Sequence, residues 1–172
     1  PLVGFRESAW QNLDKWEITN SWEDVELELS TNRVVMQVLS ELLQSSAFDH
    51  KLAYARGFEM LTPHLQAARK LLCWYVASAQ LSLRRGNSPE AFHKLIAALR
   101  LPRILENDRL LASEAVRIRI ANENFAVCWE ALQSGNWTDG QLAQIQTAWE
   151  QTTFLTNMVQ ALRMERAILR SE

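Results

Sequence analysis

The sequence predicts an all-α protein built from antiparallel helices, and three observations support this fold class. Glycine and proline are scarce, at 5 and 4 of 172 residues, and runs of β-branched residues are few, which favours helices over sheets. Apolar residues recur every three or four positions along most of the chain, as on one helical face. Start and stop signals divide these stretches into about six to seven helices. We therefore expect helical hairpins, stacked or bundled into a single domain over 1–172.

The N-terminal part, residues 1–45, is expected to form helices. Between residues 5 and 17, large apolar side chains are spaced as on one helical face: Phe5, Trp10, Leu13 and Trp16. Ser21 followed by Asp24 resembles a capping box with Asp in place of Glu. A second stretch with apolar 3–4 spacing, starting at Val34, predicts a helix to about Ser45.

Residues 46–61 interrupt the helical pattern. This linker contains Gly57 and three scattered aromatic side chains, Phe48, Tyr54 and Phe58. Linkers of this length are uncommon inside a compact domain and are often functional. We interpret the segment as an extended stretch that its aromatic residues pin across the helices, and the alternative is a binding loop at the surface.

The boundaries of two helices after the linker are marked by capping residues. A hydroxyl residue followed by proline predicts a helix start, glycine predicts a left-handed helix end, and an internal proline stops a helix. The marking residues are Thr62-Pro63 and Ser88-Pro89 at the starts, Gly86 at an end, and Pro102, which stops the second helix near Leu101.

Three further helices are expected in the C-terminal third. Asn107 or Asp108 is predicted to cap the longest one, which runs to Gly135. Thr138-Asp139 opens a shorter helix, and a final one extends past Ile168. The predicted apolar face of the longest helix contains Leu111, Ala115, Ile118, Phe125, Trp129 and Leu132.

Two helix–turn–helix corners, Gly86-Asn87 and Gly135-Asn136, recur 49 residues apart. Short connections of this kind make the joined helices antiparallel neighbours. Two stacked helical hairpins are therefore expected at the centre of the fold, within residues 62–172.

The stretch Tyr75–Ala98 resembles a single tetratricopeptide-type helical hairpin. It has small residues where the two helices would cross, namely Ala79, Ala91 and Ala98, and it has Gly86 near the turn. The 49-residue recurrence differs from that family's repeat of about 34 residues, and Arg103 stands where the family has its closing proline. The whole chain also resembles uncharacterised all-helical bacterial proteins that pair such hairpins. The resemblance implies partner binding and supplies no activity, substrate or binding residue.

Charge and hydropathy argue against two classes of partner. The formal net charge is −2 and the pI is about 6.0, whereas a nucleic-acid binder usually presents a basic face to phosphates. The longest apolar runs are only a few residues, so no transmembrane helix is expected. The chain starts at Pro1, which leaves two locations open: the cytoplasm, or export with removal of a signal peptide.

No catalytic residue, metal site or cofactor is predicted from motifs. His50, His64 and His93 have no second histidine, cysteine or acid at the spacing of a helical metal site, and we expect them at surfaces or helix edges. Phosphate-binding loops and nucleophile elbows are absent from the sequence. Cys73 and Cys128 lie in apolar stretches, as inert core thiols do.

Glu165 is a carboxylate on an otherwise apolar stripe of the final helix. The stripe also contains Phe154, Met158, Ala161 and Ile168. We expect a buried pair between Glu165 and either Arg117 or Asn122, which would fix the helix register. The alternative is a carboxylate that faces a ligand.

Seven tryptophans are an unusual number for 172 residues. Those within helices, Trp74, Trp129 and Trp149, are expected in the core. Trp10, Trp16 and Trp22 cluster near the N-terminus and would attach that helix to the body, and Trp137 lies at a turn. Exposed tryptophans would instead suit a binding surface.

These features together predict a non-catalytic helical scaffold that binds a protein or peptide in a groove between hairpins. The candidate binding residues are Phe48, Tyr54, Phe58, Trp137, Glu165, Arg117 and Asn122. One alternative is a small-molecule-binding protein or enzyme with a pocket around Glu165. Another is homo-oligomerisation through the same apolar surface.

Overall fold

A computed structural model describes residues 21–44, 48–133 and 137–171 of the chain. Within these ranges it contains no strand and has seven α-helices and two 3₁₀ turns. The helices are α1 (Trp22–Thr31), α2 (Arg33–Leu42), α3 (Pro63–Arg84), α4 (Ser88–Arg100), α5 (Leu111–Leu132), α6 (Asp139–Glu150) and α7 (Leu155–Ser171), and the 3₁₀ turns are Tyr54–Glu59 and Leu101–Leu105. The all-α prediction is confirmed. The predicted helical face at 5–17 lies outside the described residues.

Two helix starts, those of α1 and α6, follow the predicted capping chemistry, whereas Thr62 makes no side-chain cap hydrogen bond at α3 and Asn87 rather than Ser88 caps α4. At α1, the Ser21 hydroxyl accepts from the Asp24 amide at 3.2 Å, and the Asp24 carboxylate accepts from the Ser21 amide at 3.0 Å. This backbone hydrogen bond lowers the pKa of Asp24. Thr138 forms the equivalent box at α6. Gly86 has φ +71° in the turn after α3, as predicted for a left-handed helix end.

The predicted start of α5 is wrong by about three residues. Neither Asn107 nor Asp108 caps this helix, because Leu110 occupies the N-cap position and α5 begins at Leu111. Arg109 has a left-handed φ of +51°, so the chain turns sharply between Asp108 and the helix. The turn directs the Asp108 carboxylate away from the amides that a cap would bind, and towards side chains described below.

The antiparallel pair α3–α4 lies at the centre of the packing. α5 packs on both of these helices, α6 packs on α4, and α7 packs on α5 and on the first 3₁₀ turn. One core cluster joins α1, α2 and α3 to the end of α4, and a second joins α4 to the C-terminal half of α5 and to α6. No helix in the described part of the chain is long and apolar enough to span a bilayer.

Polar contacts fix α1 and α2 against α3. The Tyr75 hydroxyl on α3 donates to the Met36 carbonyl at 2.9 Å and lies 3.0 Å from the Ser40 hydroxyl, both on α2. Burial raises the pKa of Tyr75. The Trp74 indole donates to Glu28 on α1 at 2.8 Å. Trp74 is thus buried as predicted, and its one polar atom has a partner.

A buried ion pair fixes the N-terminal half of α5. Arg117 Nη1 donates to both carboxylate oxygens of Glu114 at 2.8 Å, and both side chains are 1% exposed. Arg117 also donates to the main-chain oxygens of Pro102 and Thr153, at 3.1 and 3.2 Å. Its guanidinium lies 5.4 Å from the centre of the Phe154 ring. One residue therefore connects α5 to the second 3₁₀ turn and to the segment before α7.

We predict that Arg117→Ala lowers the free energy of unfolding by about 3–5 kcal/mol, because it leaves the Glu114 carboxylate buried without its partner. The matched control is Arg119→Ala on the same helix, whose pair with Glu123 is partly exposed at 26% and 48%. That control should cost about 0–1 kcal/mol. Urea unfolding followed by circular dichroism measures both, and equal losses in the two variants would contradict the prediction.

A second prediction concerns the two cysteines, Cys73 and Cys128. Cys128 is buried and Cys73 is half-buried, and burial raises the pKa of the Cys128 thiol. A raised pKa and restricted access both slow attack on Ellman's reagent. In the Cys73→Ser variant at pH 8, the remaining thiol should react slowly until urea unfolds the chain. Immediate reaction of one thiol equivalent in the folded variant would show that Cys128 is accessible.

Candidate functional site

Two imidazoles and one carboxylate converge where the linker crosses the body of the protein. His50 lies in the linker, His64 in the first turn of α3, and Asp108 in the turn before α5. His50 Nδ1 is 2.9 Å from Asp108 Oδ1, and His64 Nε2 is 2.8 Å from Asp108 Oδ2. The two imidazole rings stack with their centres 4.1 Å apart. We call these three residues the His–Asp–His cluster.

Asp108 is at the centre of this cluster and is itself only 2% exposed. Its Oδ2 also accepts a hydrogen bond from the Ser113 hydroxyl at 2.7 Å. Its main-chain oxygen accepts from the Tyr54 hydroxyl at 2.7 Å. A buried carboxylate is costly unless it is well paired, and here linker, α3 and α5 each supply a polar partner.

The local backbone explains how the cluster forms. Lys51 and Arg109, which directly follow His50 and Asp108, have left-handed φ values of +48° and +51°. Such values are uncommon outside glycine, and they reverse the chain locally. The Asp49 carboxylate accepts from the Lys51 amide at 2.8 Å and stabilises the first of these turns.

Sequence reasoning expected all three histidines at surfaces or helix edges and did not predict that two of them share a partner. His50 and His64 are half-buried and both contact the same carboxylate, whereas His93 is exposed. Asp108 is 58 and 44 residues from the two histidines in sequence. The cluster therefore has no short motif. Its one local signal in the sequence is the polar pair Asn107-Asp108, which lies shortly before α5.

The predicted aromatic binding residues are distributed between core and surface. Phe48 packs against the first core cluster, and Tyr54 contributes its hydroxyl to Asp108. Trp137 is half-buried, with its indole donating to the Ala131 carbonyl at 2.8 Å. Phe58 is the exposed member, at 59%. Their role in binding stays a prediction.

The three polar candidates have separate environments. Arg117 is committed to Glu114, as described above, and so is not the partner that was expected for Glu165. Glu165 is half-buried, and its nearest hydrogen-bond donor is the Leu111 amide at 3.4 Å, at the start of α5. Asn122 is exposed on α5. Glu165 on α7 therefore contacts the backbone of α5 rather than a second charged side chain.

A further feature is an apolar stripe on the outer side of α5. Ile118, Phe125, Trp129 and Leu132 are separated by seven, four and three residues, so they share one helical face, and all are exposed. Phe125 and Trp129 are 63% and 62% exposed. The prediction that Trp129 fills the core is therefore wrong. We call these four residues the α5 stripe.

Comparisons of the chain with protein-family models, curated proteins and solved structures find no match. A functional proposal for this chain therefore depends on its own geometry.

The cluster geometry generates a stability prediction. Asp108→Ala removes the acceptor for His50, His64 and Ser113 together, and we expect it to lower the free energy of unfolding by about 2–5 kcal/mol, since each hydrogen bond to a buried charge contributes roughly 1.5–3 kcal/mol and such losses are not fully additive. Asp49→Ala is the matched control, because Asp49 is exposed and accepts only from a nearby amide. The control should change stability by about 0.5 kcal/mol or less. Similar urea midpoints for both variants would show that the Asp108 contacts contribute little.

Proposed function

We propose that this chain is a non-catalytic helical scaffold whose α5 stripe binds an amphipathic helix of a protein partner. The observation that supports the proposal is the exposure of four large apolar side chains on one face of a well-formed helix. Burying one such side chain is worth roughly 1.5–3 kcal/mol. A contiguous exposed set of this kind is typical of interaction sites.

The distribution of side chains around α5 strengthens this proposal. The buried side of the helix combines polar residues, Ser113, Glu114, Arg117 and Asn124, with apolar ones, Ile120, Val127, Cys128 and Ala131. An ordinary surface helix turns its large apolar side chains to the core, whereas α5 leaves the four residues of the stripe exposed in addition to its buried face. These exposed side chains are suited to a second apolar partner.

The aromatic residues of the stripe are of the type that dominates binding energy at interfaces. Trp and Tyr are enriched at binding hot spots, and large aromatic side chains contribute area with little loss of entropy. Phe125 contacts Trp149 of α6 edge-to-face, with the ring centres 6.3 Å apart. Trp149 therefore lies beside the stripe and adds a further aromatic side chain to this apolar surface.

Charge and length define the kind of helix that would fit. Glu123 and Glu130 are exposed on the same flank of α5. They accept hydrogen bonds from Arg119 and Gln80, and their remaining acceptor sites would pair with Lys or Arg of a partner. The stripe runs over fifteen residues, from Ile118 to Leu132, which is about 21 Å of helix. We therefore expect a partner helix of roughly four turns with an apolar face and a basic edge. The α3–α4 hairpin packs against α5, and the resemblance of its stretch Tyr75–Ala98 to a tetratricopeptide-type hairpin is compatible with a scaffold of this kind.

The competing enzyme hypothesis has less support in the geometry. Among the grooves on the described residues, one of about 280 Å³ is lined mainly by α2 and α4, and one of about 480 Å³ by α1 to α4 and the α3–α4 turn. Glu165, Arg117 and Asn122 line neither of them. A pocket centred on Glu165 would require convergent polar groups beside it, and Arg117 instead directs its hydrogen bonds to Glu114, Pro102 and Thr153.

Site-specific crosslinking tests the scaffold proposal directly. A benzophenone amino acid replaces Ala126, which is exposed beside the stripe, and in a control it replaces Gln66, which is exposed on α3. Irradiation in an extract of the source cell should give one dominant crosslinked protein from position 126 and none from position 66. Mass spectrometry then identifies the crosslinked peptide, which should be an amphipathic helix with a basic edge.

The affinity of that peptide for the purified chain is the deciding measurement. Phe125→Ser and Trp129→Ser should each weaken binding at least tenfold, or about 1.4 kcal/mol. Leu155→Ser, which changes an 86% exposed leucine on α7, should leave the affinity within about twofold. Equal effects of all three variants, or crosslinking only between copies of this chain, would overturn the proposal.

A further inference from the structure

We propose that the His–Asp–His cluster binds one divalent transition-metal ion through His50 Nδ1, His64 Nε2 and the Asp108 carboxylate. These ligand atoms all lie within 4.8 Å of one another. This site is separate from the α5 stripe, so it stands whether or not the scaffold proposal holds.

The spacing of the ligand atoms suits a first-row transition metal. The two nitrogen–oxygen distances are 2.9 and 2.8 Å. An ion with bonds of about 2.0–2.2 Å places neighbouring ligand atoms roughly 2.9–3.4 Å apart, depending on the coordination geometry. Binding therefore requires each of these two nitrogen–oxygen pairs to separate by about half an ångström or less, and the two nitrogens, which lie within 4.8 Å of each other, to take up a similar spacing. Such a shift is within the reach of small side-chain rotations.

Outer contacts hold the proposed ligands in orientation. Ser113 donates to the Asp108 carboxylate at 2.7 Å, and Tyr54 donates to the Asp108 main-chain oxygen at 2.7 Å. Hydrogen bonds of this kind to a ligating carboxylate are the usual support of a metal site. The left-handed backbone at Lys51 and Arg109 fixes the approach of two of the three ligands.

The donor set indicates the class of ion. Two imidazole nitrogens and one carboxylate suit Zn²⁺, Fe²⁺, Co²⁺ or Ni²⁺. Mg²⁺ and Ca²⁺ bind mainly to oxygen, and Ca²⁺ takes six to eight such ligands. A positive ion would also neutralise the charge of Asp108, which is 2% exposed. We therefore expect selectivity for Zn²⁺ and Co²⁺ over Mg²⁺ and Ca²⁺.

Access and coordination number are compatible with exchange from solvent. His50 and His64 keep 19% and 13% of their side-chain surface exposed, so an ion can reach the cluster from the linker side. Three protein ligands leave at least one coordination position for water. Because the ligands come from the linker, α3 and the turn before α5, the ion would fasten the linker to the helical body.

Titration of the full 172-residue chain with Co²⁺, read by its visible absorption, is the first test. We expect saturation at one equivalent, displacement by Zn²⁺, and no displacement by Mg²⁺ or Ca²⁺. Zn²⁺ at about a hundred times its dissociation constant should raise the melting temperature by roughly 5–10 °C. Absence of stoichiometric Co²⁺ and Zn²⁺ binding would overturn the proposal and leave the cluster as a hydrogen-bond network.

Variants identify the ligands. His50→Gln, His64→Gln and Asp108→Asn should each weaken Zn²⁺ binding by about a hundredfold or more, and Ser113→Ala by about tenfold. His93→Gln is the matched control, because His93 is exposed on α4 and contacts Phe92 rather than the cluster; it should bind like the unaltered chain. Circular dichroism checks folding, and if Asp108→Asn fails to fold, the linker variant His50→Gln decides. Unchanged affinity in folded His50→Gln would overturn the proposal.

Discussion

Two buried carboxylates at the start of α5 constrain the arrangement of the surrounding elements. Asp108 and Glu114 are six residues apart, and both are almost fully removed from solvent. Burial of a carboxylate costs several kcal/mol unless strong partners surround it. The linker and α3 supply imidazoles to Asp108, and Arg117 supplies a guanidinium to Glu114. The positions of the linker, α3, the second 3₁₀ turn and the segment before α7 are therefore all tied to this one turn.

The local features of the fold could be predicted from the sequence, because they depend on neighbouring residues. The capping box of Ser21 and Asp24, the start of α3 at Pro63, the left-handed Gly86 and the stop at Pro102 all follow from chemistry within a few positions. Apolar spacing predicted the existence of α5, but it did not reveal which side faces inward. The face assigned to the core, including Phe125 and Trp129, is exposed, because another face of the helix, with Arg117, Ile120 and Val127, packs inward.

The candidate site could not be predicted from the sequence, for a different reason. His50, His64 and Asp108 come from three elements, and no local spacing relates them. Residues 44 and 58 positions apart meet only because α3 and α5 pack together and the linker crosses both. Arg117 was named as one possible buried partner of Glu165, yet its ion-pair partner is three residues away on the same helix rather than on α7. Sequence patterns identify which residues are unusual, and packing decides which of them meet.

A rotation of α5 about its own axis would bury its exposed aromatic residues, but it would not lower the free energy of the fold. Turning α5 to bury Phe125 and Trp129 would gain roughly 1.5–3 kcal/mol for each side chain. The same rotation would move Glu114 and Arg117 out of their pair, at a cost of about 3–5 kcal/mol, and would separate Ser113 from Asp108, at a further 1.5–3 kcal/mol or so. It would also withdraw Asn124 from its 2.7 Å hydrogen bond to the Ala98 carbonyl. The rotation would also expose the buried apolar residues Ile120, Val127, Cys128 and Ala131. The losses exceed the gain, so the inward contacts of α5, both polar and apolar, keep the apolar stripe outside. A surface maintained in this way is free to be covered by another helix without any change in the fold.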